Sequence, residues 1–281
     1  MKLCYQVATP DVAISPAVTA FQGKLEDSFR TLSQMGYDGV ELMTLAPDEL
    51  DWDQVKGLAE TYGLAIPLVC TGEIFGQLGL SFADPVPERR AEAIARVKGI
   101  IDFAAHLGAN VNIGRVRGQY RDGVDPCDTY KWAVDGFREI SKHALPKGVS
   151  IALETVTIMQ TNFINTLAEA ANIADAVACP NFKVMMDVFH LNLEEKNLFD
   201  AIWRYQNYNI HVHLTDNNRR YPGHCGLDFR KIIGSFQESG YDGAFCTEIF
   251  QLPDQETAAK AAMAYLAPIF HDIYGRPLKR G

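Results

Sequence analysis

The sequence predicts a closed (β/α)8 barrel, the TIM-barrel class of α/β fold, and three observations lead there. Eight short apolar runs recur along the chain, separated by amphipathic stretches with helical spacing. Strands that alternate with helices build a parallel sheet. The units number eight rather than five or six, and no GxGxxG follows the first run, so a closed barrel is favoured over an open dinucleotide-binding sheet. The 281 residues slightly exceed the roughly 250 typical of one such barrel. No Ser/Pro-rich linker or low-complexity tract interrupts them, so residues 1–281 are expected to form a single domain.

The units follow in order. The strand LCYQVA (3–8) leads to LEDSFRTLSQMG (25–36), where Phe29, Leu32 and Met35 fall at helical spacing and Gly36 stands at the stop. A Gly-Tyr-Asp-Gly turn then feeds the second strand, DGVELM (38–43). AIPLVC (65–70) and ANVNIG (109–114) are the third and fourth strands, and VDGFREISKHA (134–144) is the helix after the fourth. VSIALE (149–154) is followed by TLAEAANIADAV (166–177), and FKVMMD (182–187) by a further turn and helical pattern. NIHVHL (209–214) is followed by FRKIIGSFQESG (229–240), and a second Gly-Tyr-Asp-Gly turn introduces GAFCTE (243–248).

A hydrophobic fraction of 47% allows a large core, and 22% charged residues is ordinary for a globular chain. The net charge of −9 argues against nucleic acid as a partner, because phosphate binding needs a basic face. No apolar stretch approaches the length that spans a bilayer, and MKLCYQVATPDV lacks the apolar run of a signal peptide. Six scattered cysteines without a CxxC pair fit a reduced, cytoplasmic protein.

Four of the runs end on residues that carry chemistry: Glu154, Asp187, His213 and Glu248. Each alone reads as a strand-end cap. Together, at the carboxyl ends of consecutive barrel strands, they face the mouth where such barrels place their catalytic groups. Carboxylates there are costly to desolvate unless paired or metal-bound. Three oxygen ligands and one imidazole suit one divalent cation per chain, Mn²⁺ first, with Mg²⁺ and Co²⁺ as alternatives. His190, three residues past Asp187, and Arg219, in the loop after the seventh strand, are candidate substrate hydrogen-bond partners. Glu73, Arg115 and Arg117 follow strands three and four and are further candidates for the pocket. Phe75, Leu78, Trp132 and Phe189 are candidates for an apolar wall. His211 shares the inward face with His213 one layer deeper and reads as a packed, hydrogen-bonded histidine.

The chain resembles the xylose-isomerase-like barrel superfamily, in particular its sugar isomerase/epimerase branch of ketose 3-epimerases, with the 5-keto-L-gluconate epimerases the most similar group. The resemblance spans nearly the whole chain and is most specific in MMDVFHLNLEE and HVHLTDNNRRYPGHCGLDF. It implies that Glu154, Asp187, His213 and Glu248 hold the metal and that Glu154 and Glu248 are the two proton-transfer bases. It implies that His190 and Arg219 hold substrate oxygens. The implied activity is a metal-dependent epimerase or isomerase that moves a proton beside the carbonyl of a keto-sugar or keto-aldonate through a stabilised enediolate. The expected partners are a small sugar substrate and further copies of the chain, as a homodimer or homotetramer. Where such epimerases carry Asn-Arg-aromatic-Glu after the first ligand, this chain has Thr157, Ile158, Met159 and Gln160. That departure puts the substrate in question and keeps open a lyase or dehydratase acting on a keto-sugar or 3-keto glycoside. Cys225 also stands where a Gly is common.

Overall fold

Runs too apolar to leave either face in water become the strands of the computed structural model, which describes residues 1–277. They are β1 (Lys2–Ala8), β2 (Gly39–Met43), β3 (Leu68–Cys70), β4 (Asn110–Ile113), β5 (Ile151–Glu154), β6 (Phe182–Asp187), β7 (Asn209–His213) and β8 (Ala244–Thr247). All pair in parallel, in sequence order, and β8 closes on β1. The third strand is shorter than expected. Pro67 has no N–H for a ladder, so Ala65 makes only an isolated bridge to Gly39 before β3 starts.

The helices are α1 (Leu25–Gln34), α2 (Trp52–Thr61), α3 (Gly72–Leu78), α4 (Pro87–Leu107), α5 (Pro126–Ala144), α6 (Leu167–Val177), α7 (Val188–Glu194), α8 (Leu198–Tyr205), α9 (Phe229–Glu238) and α10 (Gln255–Tyr274). Phe29 and Leu32 of α1, Ile100 and Phe103 of α4, and Phe137 and Ile140 of α5 are buried in the main core, with Leu3, Tyr5 and Val7 of β1. The short helices α3 and α7 start directly after β3 and β6, at the mouth of the barrel.

Inside the barrel the side chains come in layers. Leu68, Ala152 and Met185 form one apolar cluster, and Cys4, Ala244 and Cys246 another. Above them lie buried polar groups, among them Gln6, Glu41, His211 and Asn112. The ends of β5 to β8 form the top.

Two local devices set the register. Gly39 faces the Ala65 carbonyl so closely that a Cβ would come within 2.6 Å of it, so the first Gly-Tyr-Asp-Gly turn needs its second glycine. Between β6 and β7 the register shifts: Val184 pairs with Asn209, but Met186 pairs with Val212 and Asp187 with His213. The extra residue on β7 puts Asp187 and His213 level; an unbroken register would set Asp187 opposite Val212.

Candidate active site

The four strand-end residues converge. One ligand atom from each of Glu154, Asp187, His213 and Glu248 lies within 4.8 Å of all the others. His213 is the hub: its Nδ1 is 3.1 Å from Glu248 Oε2, 3.6 Å from Glu154 Oε1 and 3.9 Å from Asp187 Oδ2. Its Nε2 points down into the barrel, 2.9 Å from Glu41 Oε2.

Each carboxylate is held by its second oxygen. Asn112 Nδ2 donates to Glu154 Oε2 (3.1 Å), and Thr19 Oγ1 donates to Glu248 Oε1 (2.9 Å). Asp187 Oδ1 caps α7 by accepting from the Phe189 N–H (2.8 Å), so the cap role and the site role coexist in one residue. Its Oδ2 accepts from Arg219 Nη1 (2.7 Å), and Arg219 Nη2 reaches Glu248 Oε2 (2.5 Å). The Arg219 guanidinium also lies over the Phe189 ring, 4.8 Å from its centroid.

Burial works against every charge here and the partners decide the outcome. Desolvation alone would lift Glu248, yet Arg219 and His213 hold it well below the usual carboxylate range. Asp187 is net raised by its burial, although Arg219 and His213 pull the other way. Burial would lower His213, but Glu41, Glu154 and Glu248 raise it well above an ordinary imidazole. For His190 the carboxylates Glu154 and Glu248 pull upward but are outweighed. Burial, reinforced by Arg219, pushes it down to about 3, so it stands neutral. Its Nδ1 accepts from the Thr157 N–H (3.2 Å), which leaves the proton on Nε2 as a donor.

The cavity above these groups holds about 230 Å³, and its lining includes Glu154, His190, His213, Arg219 and Glu248 together with Glu73, Asn112, Arg115 and Gln160. Glu73 reaches it from α3, steadied by Gln77 (2.8 Å). Arg117 does not. It is fully buried behind β5, where its guanidinium donates to the Glu154 carbonyl, and desolvation lowers it to about 10. The turn Gly114–Gly118 aims alternate residues in opposite directions, so Arg115 faces the cavity and Arg117 the core. Ile158 and Met159 are 58% and 70% exposed, so they sit at the rim rather than in the wall. Thr157 Oγ1 and the Ile158 N–H both bond Glu194 (2.6 and 2.8 Å), which fixes this turn and leaves Gln160 to face the cavity. Trp132 stacks under Arg90 (4.3 Å), with α4 and α5, away from the site. His211, as expected, is packed and bonded, 2.8 Å from Glu41.

Glu41, Gln6, Asn112 and Thr19 are additions from the structure. Glu41 does have a sequence signal, a carboxylate in the middle of the apolar run GVELM, which burial makes costly without partners. Gln6, Asn112 and Thr19 have none, because neutral polar residues are common in strands and loops.

Comparison with known proteins places the chain. The sequence matches the xylose isomerase-like TIM barrel model over residues 29–269. A probable ketose 3-epimerase of Synechocystis is 26% identical over 250 residues, covering 86% of this chain and 84% of that protein. The 3-dehydro-D-guloside 4-epimerase of Escherichia coli is 26% identical over 256 residues, covering 88% and 95%. Among solved structures, 3-keto-D-glucoside 4-epimerase from E. coli superposes with a TM-score of 0.79 at 24% identity, covering 95% of this chain and 99% of that one. D-psicose 3-epimerase from Clostridium cellulolyticum superposes with a TM-score of 0.81 at 21% identity, covering 96% and 99%. The structural matches carry the fold, and the sequence match carries the lineage: this chain belongs to the xylose isomerase-like TIM barrel family.

Proposed function

We propose that this protein is a divalent-metal-dependent epimerase of a keto-sugar, with Glu154 and Glu248 as the two proton-transfer bases. One observation carries the reading. Glu154 and Glu248 each turn one oxygen toward His213 Nδ1, and each has its other oxygen held by a neutral donor, Asn112 or Thr19. They come from β5 and from the residue after β8, three strands apart around the barrel. One removes the proton beside the carbonyl and the other returns it to the opposite face, which inverts that carbon.

The donor set fits a cation. Three carboxylates and one imidazole within 4.8 Å are the ligands a hard or borderline divalent ion prefers, and Mn²⁺ is the ion we assign, ahead of Mg²⁺ and Co²⁺. Bound there, it would supply Lewis-acid polarisation of the carbonyl. Arg219, rigid and always charged, and neutral His190, with its Nε2 proton, then orient substrate oxygens. The relatives that support epimerisation act, by name, on free ketoses and on a 3-dehydro-guloside. Because those names describe epimerases, the lyase reading is not favoured.

The substrate we infer bears an acid or glycosidic group. Gln160 offers the cavity a neutral amide where the related epimerases would offer a carboxylate. Of the three arginines near the mouth, Arg117 and Arg219 are engaged. Arg115 lines the cavity with no ion pair or hydrogen bond among the described residues, only the Phe75 ring at 5.7 Å. A guanidinium with no carboxylate bonded to it among the described residues is a ready partner for a substrate acid.

The test is turnover of keto-sugars, keto-aldonates and 3-keto glycosides with added Mn²⁺ in D₂O. Deuterium should enter one C–H without loss of water, with better kcat/KM on an acid or glycoside than on fructose, tagatose or psicose. Glu154→Gln and Glu248→Gln should each slow the reaction by roughly 10² or more. Wild-type-like turnover in both variants would refute the two-base scheme.

A further inference from the structure

Beneath the site lies a second layer whose groups the reaction itself does not use. Glu41, wholly buried at the centre of β2, accepts from four directions. His211 Nε2 lies 2.8 Å and His213 Nε2 2.9 Å from its Oε2, while Gln6 Nε2 (2.8 Å) and Cys70 Sγ (2.6 Å) bond its Oε1. Four donors on one carboxylate fill its acceptor capacity. A closed ring of contacts runs through it. Thr19 Oγ1 is shared between Glu248 Oε1 (2.9 Å) and Gln6 Oε1 (3.2 Å), Gln6 reaches Glu41, Glu41 faces His213 Nε2, and His213 Nδ1 returns to Glu248 (3.1 Å).

We infer that Glu41 is a positioning residue of the cation site: it holds the proton of His213 on Nε2, turns Nδ1 toward Glu154, Asp187 and Glu248, and steadies Glu248 through Gln6 and Thr19. A histidine ligand has two inequivalent nitrogens, and the partner of one decides which is free to bind. Here the two nitrogens face different worlds. Among the described residues the carboxylate at Nε2 is that of Glu41, and Nδ1 has the other three carboxylates. His211 crosses the His213 ring edge-on at a centroid distance of 5.3 Å, so the ring cannot flip without disturbing both Glu41 contacts. The inference rests on the cation reading above but not on turnover.

Two measurements test it, and neither requires activity. In wild-type protein loaded with Mg²⁺ and labelled with ¹⁵N-histidine, His213 should show a protonated Nε2 and an unprotonated Nδ1. The reverse tautomer would overturn the inference, and this arm needs no variant. The second arm compares Mn²⁺ binding by wild type and Glu41→Gln by calorimetry, with the melting temperature of the metal-free forms as control. Glu41→Gln should bind Mn²⁺ about 10- to 100-fold more weakly, the scale of a lost outer-shell carboxylate. A folded Glu41→Gln that binds Mn²⁺ within about threefold of wild type would show that Glu41 only fills space. Glu41-dependent Mn²⁺ binding in a protein that epimerises nothing would instead uphold the positioning role and remove the epimerase reading.

Discussion

Arg219 adopts a left-handed backbone, φ 61°, which few residues other than glycine take. Its N–H donates to the Asp216 carbonyl (2.9 Å) and its carbonyl accepts from the Phe250 N–H (2.8 Å), so the surroundings enforce the conformation. Strain of this kind costs about 1 to 3 kcal/mol and is retained where it aims a functional side chain. Arg219→Ala should therefore raise KM for the best substrate by about tenfold or more, the energy of a charge-assisted bond, and Mn²⁺ affinity should not fall, because the change takes a positive charge away from Asp187 and Glu248. A collapse of metal binding with KM unmoved would reverse the assigned roles. His190 makes a prediction about pH. Its imidazole titrates near 6.5 when unfolded and at about 3 in the fold. Between those values the unfolded chain binds a proton that the native chain refuses, so stability rises with pH across that window. The contribution is whole above about pH 6.5 and is lost as pH falls toward 3. In urea titrations of metal-free protein, wild type should lose about 2 kcal/mol more than His190→Asn between pH 7 and pH 5. Equal losses would mean that His190 is not held neutral.

The element that carries Arg219 is the long connection from β7 to α9, organised around one carboxylate. Asp216 accepts from the backbone N–H groups of Asn217 (2.9 Å), Gly223 (3.0 Å), Cys225 (2.8 Å) and Leu227 (3.3 Å). Cys225 serves through its backbone, with its side chain exposed, which is why a cysteine is accommodated where a glycine is common. Asp216→Ala would release these four donors at once. It should raise KM about as much as Arg219→Ala does, leave Mn²⁺ affinity alone, and speed tryptic cleavage after Arg219 and Arg220. Unchanged KM together with unchanged proteolysis would show that the loop holds itself. Just before that connection, His211 and His213 stand two apart on β7 and both meet one carboxylate oxygen, Glu41 Oε2.

For the molecule as a whole, a cation held between β5 and β8 would tie together a third of the chain and should stabilise the native state by mass action. At 100 times its dissociation constant Mn²⁺ should add about 2.7 kcal/mol, or roughly 5 °C in melting temperature for a chain of this size. His213→Ala should remove that shift and stoichiometric Mn²⁺ binding together while the barrel still folds. A full shift in the variant would place the ion elsewhere. Among the described residues no helix is long and apolar enough to cross a membrane.

The eight strands and the four strand-end residues were legible in the sequence, because both are local patterns. A parallel strand buried on both faces must be a continuous apolar run, and a carboxylate or imidazole that ends such a run stands out against it. Each run lies within three residues of its observed strand. The second layer was legible only in His211 and in the lone carboxylate of GVELM; its connections were not, since Gln6, Thr19, Glu41 and Asn112 come from three strands and a loop far apart in the chain, and only closure of the barrel brings them together. Arg115 and Arg117 could not be told apart either. They are two residues apart in one short turn, and which of them faces substrate depends on its backbone geometry. Sequence pattern determined the period, the fold class and which side chains end the strands. The level at which those ends meet was decided by tertiary structure, through one extra residue in β7 that sets Asp187 beside His213, because register is a relation between two strands and neither strand carries it alone.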